Sequence, residues 1–97
     1  MDLLIDDTRD IFCDAVARNY DVAIKLLESF KWDLVYLDHD IGDKKIPERT
    51  GYTILCWLEE HKEHLPDSII IVSANPVGRK RMQHVMKKLY HRKNIVY

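Results

Sequence analysis

The stretch DLVYLDHD, residues 33–40, decides the fold of this 97-residue chain. Four consecutive apolar or aromatic residues, 34–37, are followed abruptly by two carboxylates and an imidazole. A buried strand of a parallel sheet shows this pattern when it delivers polar groups at its carboxyl end. The stretch therefore predicts a central strand that leads into a functional loop.

Two further stretches repeat this pattern, LLIDD at residues 3–7 and SIIIVSAN at residues 68–75. We predict another strand at about residues 15–19 and a last one at residues 94–97. Residues between the first two strands leave hardly any space for a helix. The first crossover helix is therefore expected to be reduced to a loop.

Three helices are predicted between the remaining strands. Asp21 is expected to cap the first, Gly51 opens the second, and Asn75-Pro76 begins the third with an N-cap followed by proline. Their apolar stripes follow the spacing of a helix face: Ala23, Leu26, Leu27 and Phe30; Ile54, Leu55 and Leu58; Met82, Val85, Met86 and Leu89. Strands alternating with helices predict an α/β domain with a parallel sheet, and the length fits a single domain over 1–97.

The distribution of charge is more informative than the net charge of −1. Residues 1–43 hold eleven acids against four bases, whereas residues 79–93 hold seven Lys or Arg and no acid. One part of the chain could attract a cation and the other an anion, although the basic run could equally be a solvated helix face. Cys13 and Cys56 have no metal-like spacing. No signal peptide or apolar span is recognised, so we expect a cytoplasmic protein without a membrane partner.

Ligands of open α/β sheets bind beyond the carboxyl ends of the strands. Neighbouring strands lie about 4.8 Å apart, so Asp6 or Asp7 is expected to face Asp38 at close range. Clustered carboxylates need a proton or a cation, and oxygen ligands with room for water suit Mg²⁺ or Mn²⁺. The polar residues predicted at this edge are Asp6, Asp7, Asp38, His39, Asp40, Ser73 and Asn75.

Each of these residues also has a structural interpretation. Asp7 could be a turn residue, and Ser73 and Asn75 could simply cap the following helix. His39 could be a surface histidine, but the carboxylates on either side favour its imidazolium, which suits a proton donor. The helix beginning at Asn75 also offers an N-terminus to which an anion could bind.

Four motifs together resemble the cyclic-phosphate processing receiver domains, a divergent group within the response-regulator receiver fold. They are DDTR at 6–9, LDHDIG at 37–42, TGY at 50–52 and SANPVG at 73–78, and the reduced first helix agrees with them. The resemblance implies a flavodoxin-like, three-layer domain with strand order 2-1-3-4-5 and no last helix. It also implies bacterial or phage origin.

The resemblance assigns roles residue by residue. It implies metal ligands at Asp6, Asp7 and Asp38, catalytic roles for Asp38, His39 and Asp40, and phosphate or substrate binding by Arg9, Ser73, Asn75 and Gly78. The chain departs from the family at Val72, where a histidine is frequent. The lysine that signalling receivers carry at the end of strand five is also missing before the sequence stops at Tyr97.

Three functions follow as hypotheses. The first is metal-dependent hydrolysis of a phosphoester in a cyclic phosphate or small nucleotide. The second is a non-catalytic protein, possibly phage-encoded, that sequesters a nucleotide or blocks a protein partner. The third is a phosphoacceptor receiver, which the missing lysine disfavours. A small phosphorylated ligand is the expected partner, and nucleic acid is not.

Overall fold

A computed structural model describes residues 1–41, 46 and 48–90 of the chain. Four strands and three α-helices lie within these residues, with a short 3₁₀ helix at Lys62–His64. The strands are β1 (Asp2–Ile5), β2 (Ala15–Ala17), β3 (Leu34–Leu37) and β4 (Ser68–Ile71). The helices are α1 (Tyr20–Ser29), α2 (Gly51–Glu60) and α3 (Pro76–Leu89).

The four strands form one parallel sheet in the order β2-β1-β3-β4. In its register Ile5 pairs with both Ala17 and Leu37, and Leu37 pairs with Ile71. The carboxyl ends of β1, β3 and β4 therefore coincide at one edge. The predicted α/β class, the parallel sheet and the receiver-like strand order are confirmed. The predicted last strand, at residues 94–97, lies outside the described residues.

The connection between β1 and β2 is a loop, as the sequence predicted. Its two ends are tied to the strands, since the Asp6 N–H donates to the carbonyl of Ala17 (3.1 Å) and the Asp14 N–H donates to that of Asp2 (3.0 Å). The Asp14 carboxylate also accepts from the Asp2 N–H at 2.7 Å. Hydrogen bonds thus hold this crossover in the absence of a helix.

The helices of the described residues pack against one face of the sheet. Alternate residues of every strand point to this face and join all three helices in a single core, for example Leu3, Val35 and Ile69 with Leu27 and Met86. Right-handed crossovers explain why these helices cover only one face. The connections from β2 to β3 and from β3 to β4 run across the sheet in one direction, whereas the β1–β2 connection runs in the opposite direction. Its missing helix would have covered the second face. The described part therefore has two layers, and a third layer stays a prediction.

Helix α1 differs from its prediction in two details. Its N-cap is Asn19, whose side chain accepts a hydrogen bond from the Val22 N–H at 3.0 Å, and not Asp21. Asp21 lies in the first turn, where its carboxylate pairs with Arg49 instead. Phe30 is 53% exposed because the helix ends at Ser29, so this side chain does not extend the buried stripe.

Helices α2 and α3 begin at the predicted residues, and their predicted apolar stripes are buried. Both cysteines are free thiols and half-buried. Among the helices in the described part of the chain, none has the length and apolar character needed to cross a bilayer.

Candidate functional site

Three carboxylates meet at the carboxyl edge of the sheet. Asp6 and Asp38 directly follow the paired residues Ile5 and Leu37, so the register of β1 and β3 places them side by side. One oxygen from each of Asp6, Asp7 and Asp38 lies within 4.8 Å of the other two. Asp6 and Asp38 are only 1% and 8% exposed, while Asp7 is half-buried. The structure thus brings together the three residues predicted as metal ligands.

The Asp6 carboxylate organises the loop that follows it. Its Oδ1 accepts hydrogen bonds from the Thr8 and Arg9 N–H groups, both at 3.1 Å, and its Oδ2 accepts from Arg9 Nη1 at 2.9 Å. Burial by itself raises the pKa of Asp6. The two backbone N–H groups and the Arg9 charge outweigh that effect, so the pKa lies below its usual value. Asp6 is therefore an anion held in place by its own loop.

Arg9 bridges the loop to the end of β4. The same Nη1 atom that binds Asp6 also donates to the Val72 carbonyl at 2.6 Å. Arg18 secures the arrangement from outside, because its Nη1 donates to the Arg9 carbonyl at 2.8 Å. The guanidinium of Arg9 thus lies against the acidic group as a counter-charge. Its predicted contact with a phosphate stays a prediction.

Asp38 has the opposite electrostatic environment. Burial is the largest influence on its pKa and raises it, and the nearby Asp6 charge raises it further. The His39 N–H donates to Asp38 Oδ1 at 2.8 Å and lowers this pKa. The Ser73 hydroxyl and the Arg9 charge lower it too, but together these three effects do not outweigh the first two. The pKa of Asp38 therefore lies above its usual value. Two neighbouring carboxylates with pKa shifts in opposite directions are typical of functional sites.

His39 lies between the acidic group and the start of α3. Its ring packs so closely on Gly78 that a Cβ added there would lie 2.5 Å from the ring carbons. Nδ1 is 3.1 Å from Oδ1 of Asp40, and the side chain is only 14% exposed. Asp40 is exposed and lies outside the group of three carboxylates. Its contact with His39 can orient the imidazole.

Gly51, the first residue of α2, allows this helix to approach the site. Its N–H donates to the His39 carbonyl at 2.8 Å. A Cβ on Gly51 would lie 2.0 Å from the Asp38 carbonyl oxygen and 2.9 Å from the Met82 side chain. The sequence predicted Gly51 only as a helix start, because neither partner of this close contact is near it in the chain.

The N-terminus of α3 is less open to an anion than the sequence suggested. Asn75 is the N-cap, and its Oδ1 accepts from the Gly78 N–H at 3.1 Å. Pro76 has no N–H, which leaves Val77 as the first-turn residue whose N–H has no partner among the described residues. Ser73 is 6% exposed and accepts from the Asn75 N–H at 3.1 Å. Its hydroxyl also lowers the pKa of Asp38 in part.

Arg79 is a structural residue of the site that sequence reasoning missed. Its Nη1 donates to the Ile71 carbonyl at 2.9 Å, one residue before the Val72 carbonyl bound by Arg9. Two arginines thus hold the end of β4, where the ladder to β3 stops. The run of bases after residue 78 contained Arg79, but nothing in that run distinguished it from its neighbours.

The three carboxylates fit a small divalent cation. Mg²⁺ prefers octahedral oxygen ligands at about 2.1 Å, which places neighbouring ligands about 3.0 Å and opposite ligands about 4.2 Å apart. The three carboxylate oxygens lie within 4.8 Å of one another, so small movements of these side chains would bring them to such distances. Asp6, Asp7 and Asp38 are the residues that would hold the ion, with one lone pair of Asp6 Oδ2 already used by Arg9.

The family model described as "Cyclic-phosphate processing Receiver domain" matches residues 1–88 of the chain. This match spans the four strands of the described residues and nearly all of α3. No significant match is found among curated proteins or among solved structures.

Replacing Asp38 by asparagine is expected to stabilise the metal-free fold at pH 7. A raised pKa means that the folded chain binds more protons than the unfolded chain, so stability falls as pH rises through the window above about 3.9. The substitution removes this cost, and the gain is expected to shrink as pH falls toward about 4. Urea midpoints in a chelating buffer at both pH values measure it. The exposed Asp40→Asn serves as control, and an Asp38→Asn midpoint below that of the unsubstituted protein at pH 7 contradicts the argument.

Two glycine substitutions test how closely the helices approach the site. Alanine in a helix is usually more stabilising than glycine by about 0.5–1 kcal/mol. We expect Gly51→Ala instead to lower the free energy of unfolding by about 1–3 kcal/mol, because its Cβ meets backbone atoms. Gly78→Ala is expected to cost less, because the His39 ring can rotate away. Equilibrium urea unfolding measures both, and a stabilising Gly51→Ala disproves the close contact.

Proposed function

The chain belongs to the family of cyclic-phosphate processing receiver domains, and from that membership we propose that it hydrolyses a phosphoester bond in a cyclic phosphate or small nucleotide. The observation that carries this proposal is the convergence of Asp6, Asp7 and Asp38 within 4.8 Å. Three such carboxylates repel one another, and a bound divalent cation would neutralise that repulsion.

Mg²⁺ or Mn²⁺ is the proposed cofactor. Asp6, Asp7 and Asp38 would hold the ion, which would supply charge neutralisation at the phosphoryl group and activation of a water molecule. The chain itself fixes where this chemistry takes place. Asp6 is kept ionised by Arg9 and by backbone N–H groups, and Asp38 accepts a hydrogen bond from the His39 N–H.

His39 is the proposed proton donor. Its imidazole is largely shielded from solvent and lies between Asp40 and Gly78. The backbone N–H of the same residue binds the Asp38 carboxylate. In the proposed step the oxygen of water bonds to phosphorus and one ester P–O bond of the ring breaks. The leaving oxygen takes a proton from the imidazolium, and the proton lost by the water returns to the imidazole through solvent. The product is an acyclic phosphate monoester.

A bound phosphoryl group would face α3. The Val77 N–H is the first-turn donor without a partner among the described residues, and the helix dipole favours negative charge there. Arg9 has its Nη1 engaged with Asp6 and Val72, so it would contribute mainly its charge. Ser73, Asn75 and Gly78 shape this side of the site through the cap of α3.

A second candidate is binding without catalysis. The ion pair between Arg9 and Asp6 favours it, because the acidic group already contains one cation and could hold a ligand without completing a hydrolytic site. Val72, at the position where the resemblance expects a histidine, agrees with this candidate. A phosphoacceptor role for Asp38 has no comparable support. Cytoplasmic location and phage origin also stay predictions.

Millimolar Mn²⁺ or Mg²⁺ is expected to raise the Tm of the protein. An ion at ten times its Kd adds about 1.4 kcal/mol to the free energy of unfolding, which corresponds to roughly 5–10 °C for a domain of this size. Asp38→Asn is expected to abolish the rise, whereas Asp40→Asn retains it because Asp40 lies outside the group. Thermal melts with and without each ion provide the measurement. A Tm that neither ion changes rules out the proposed cofactor.

His39→Ala distinguishes hydrolysis from binding. If the imidazole donates a proton to the leaving oxygen, turnover falls about 10²–10⁴-fold, while affinity for the same cyclic phosphate changes little. The assay incubates the protein with a panel of cyclic phosphates and Mn²⁺, follows product by chromatography, and measures affinity by calorimetry. His64→Ala is the matched control. His64 precedes β4 and so lies toward the amino end of that strand, whereas the acidic site lies at the carboxyl ends of the strands.

Two results would contradict this assignment. Unchanged turnover in His39→Ala removes the residue from the mechanism and leaves the carboxylates to carry the reaction. Ligand binding without product in the unsubstituted protein overturns hydrolysis in favour of the binding candidate.

A further inference from the structure

A groove between α2 and α3 lies outside the acidic site. Its volume is about 340 Å³, and it is lined by Tyr52, Lys80, Arg81 and His84. This volume falls within the range of about 300–1,000 Å³ found for small-molecule sites. Tyr52 is half-buried and the other three side chains are exposed, so the groove is open to solvent. Its lining combines an aromatic ring from α2 with basic side chains and a histidine from α3.

The groove begins next to the acidic site. Tyr52 follows Gly51, whose N–H binds the His39 carbonyl, and α3 approaches the site where Gly78 packs on the His39 ring. At 1.5 Å per residue, Arg81 lies about 4.5 Å and His84 about 9 Å along the helix axis from Gly78. A ligand bound at the carboxylates could therefore extend past His39 into the groove.

Arg81 differs from the other arginines in the described residues. Arg9, Arg18, Arg49 and Arg79 each donate guanidinium hydrogen bonds to carboxylates or carbonyls of the protein. Arg81 instead lies over the Tyr52 ring, with its guanidinium carbon 4.1 Å from the ring centroid. Within the described part of the chain its side chain makes neither a hydrogen bond nor a salt bridge. The same is true of the Lys80 side chain.

This arrangement suits a phosphate. The contact with the Tyr52 ring restrains the guanidinium, and its N–H groups are left to bind an anion, which a guanidinium can do in a bidentate manner. Lys80 adds a second, flexible cation beside it. No acid occurs between residues 68 and 90, so no carboxylate of α3 itself competes for these cations.

We infer that the groove binds a second phosphate of the ligand. This inference rests on the proposed function for the first phosphate and specifies the ligand class: molecules with two phosphate groups, such as cyclic dinucleotides, are preferred over cyclic mononucleotides. The acidic site binds one phosphate through its cation, and Lys80 and Arg81 bind the other directly.

The test compares cyclic GMP, which has one phosphate, with cyclic di-GMP, which has two. Affinities are measured by calorimetry with Mn²⁺ in a His39→Ala background, so that hydrolysis does not consume the probes. We expect Lys80→Gln with Arg81→Gln to weaken cyclic di-GMP about tenfold or more and to leave cyclic GMP unchanged. Lys87→Gln with Lys88→Gln is the matched control, because it removes the same charge from exposed residues in the last turn of α3.

The outcomes separate this inference from the proposed hydrolysis. Equal affinities for cyclic di-GMP in the two double variants overturn the groove as a phosphate site, even if the unsubstituted protein hydrolyses its ligand. The absence of any cyclic di-GMP binding overturns it as well. Selective weakening in the Lys80 and Arg81 variant supports the groove, even if the unsubstituted protein hydrolyses neither probe.

Discussion

Repulsion between the carboxylates of Asp6 and Asp38 is the constraint to which the rest of the site is adapted. The parallel register of β1 and β3 places them on adjacent strand ends, within 4.8 Å. At that separation and an effective dielectric constant of about 20, two such charges repel by roughly 3 kcal/mol. The protein relieves this repulsion unequally: hydrogen bonds and Arg9 stabilise the charge on Asp6, while burial disfavours the charge on Asp38.

Different elements of the structure hold the two carboxylates. Arg9 reaches Asp6 because the loop replacing the first crossover helix folds back over the sheet edge, and it anchors that loop to β4 through the Val72 carbonyl. On the other side, Gly51 and Gly78 let two helices come close enough to fix the Asp38–His39 segment. One carboxylate is thus held by a loop and the other by helices.

Much of this arrangement could be predicted from the sequence. Runs such as LLIDD and LVYLDHD contain both the strand and its polar end, and parallel pairing then places Asp6 beside Asp38. Asn75-Pro76 contains the complete signal for the start of α3. These features are local, or they follow from strand order, and both kinds of information are present in the residue pattern.

Other features depend on distances that the pattern does not contain. The sequence predicted Asp21 as the cap of α1, whereas the structure has Asn19 there. Both residue types cap helices well, and Asp21 pairs with Arg49 instead. Arg9 donates to the Val72 carbonyl just after β4, and Arg79 donates to the Ile71 carbonyl at its end. Both bonds join residues from separate elements. The close contact of Gly51 with the Asp38 backbone likewise appears only once α2 is placed against the sheet.

The hydrogen bonds of Asp6 have a consequence for how this domain can evolve. Asp6 holds Thr8 and Arg9 and, through Arg9, the end of β4, so its carboxylate also replaces part of the missing crossover helix. A descendant that lost all chemistry and kept only ligand binding would still lose these hydrogen bonds if Asp6 were replaced. Selection for stability alone would therefore favour keeping this aspartate. In a lineage of such domains, loss of activity would be recorded earlier at His39 or Asp7, whose side chains bear less of the structure.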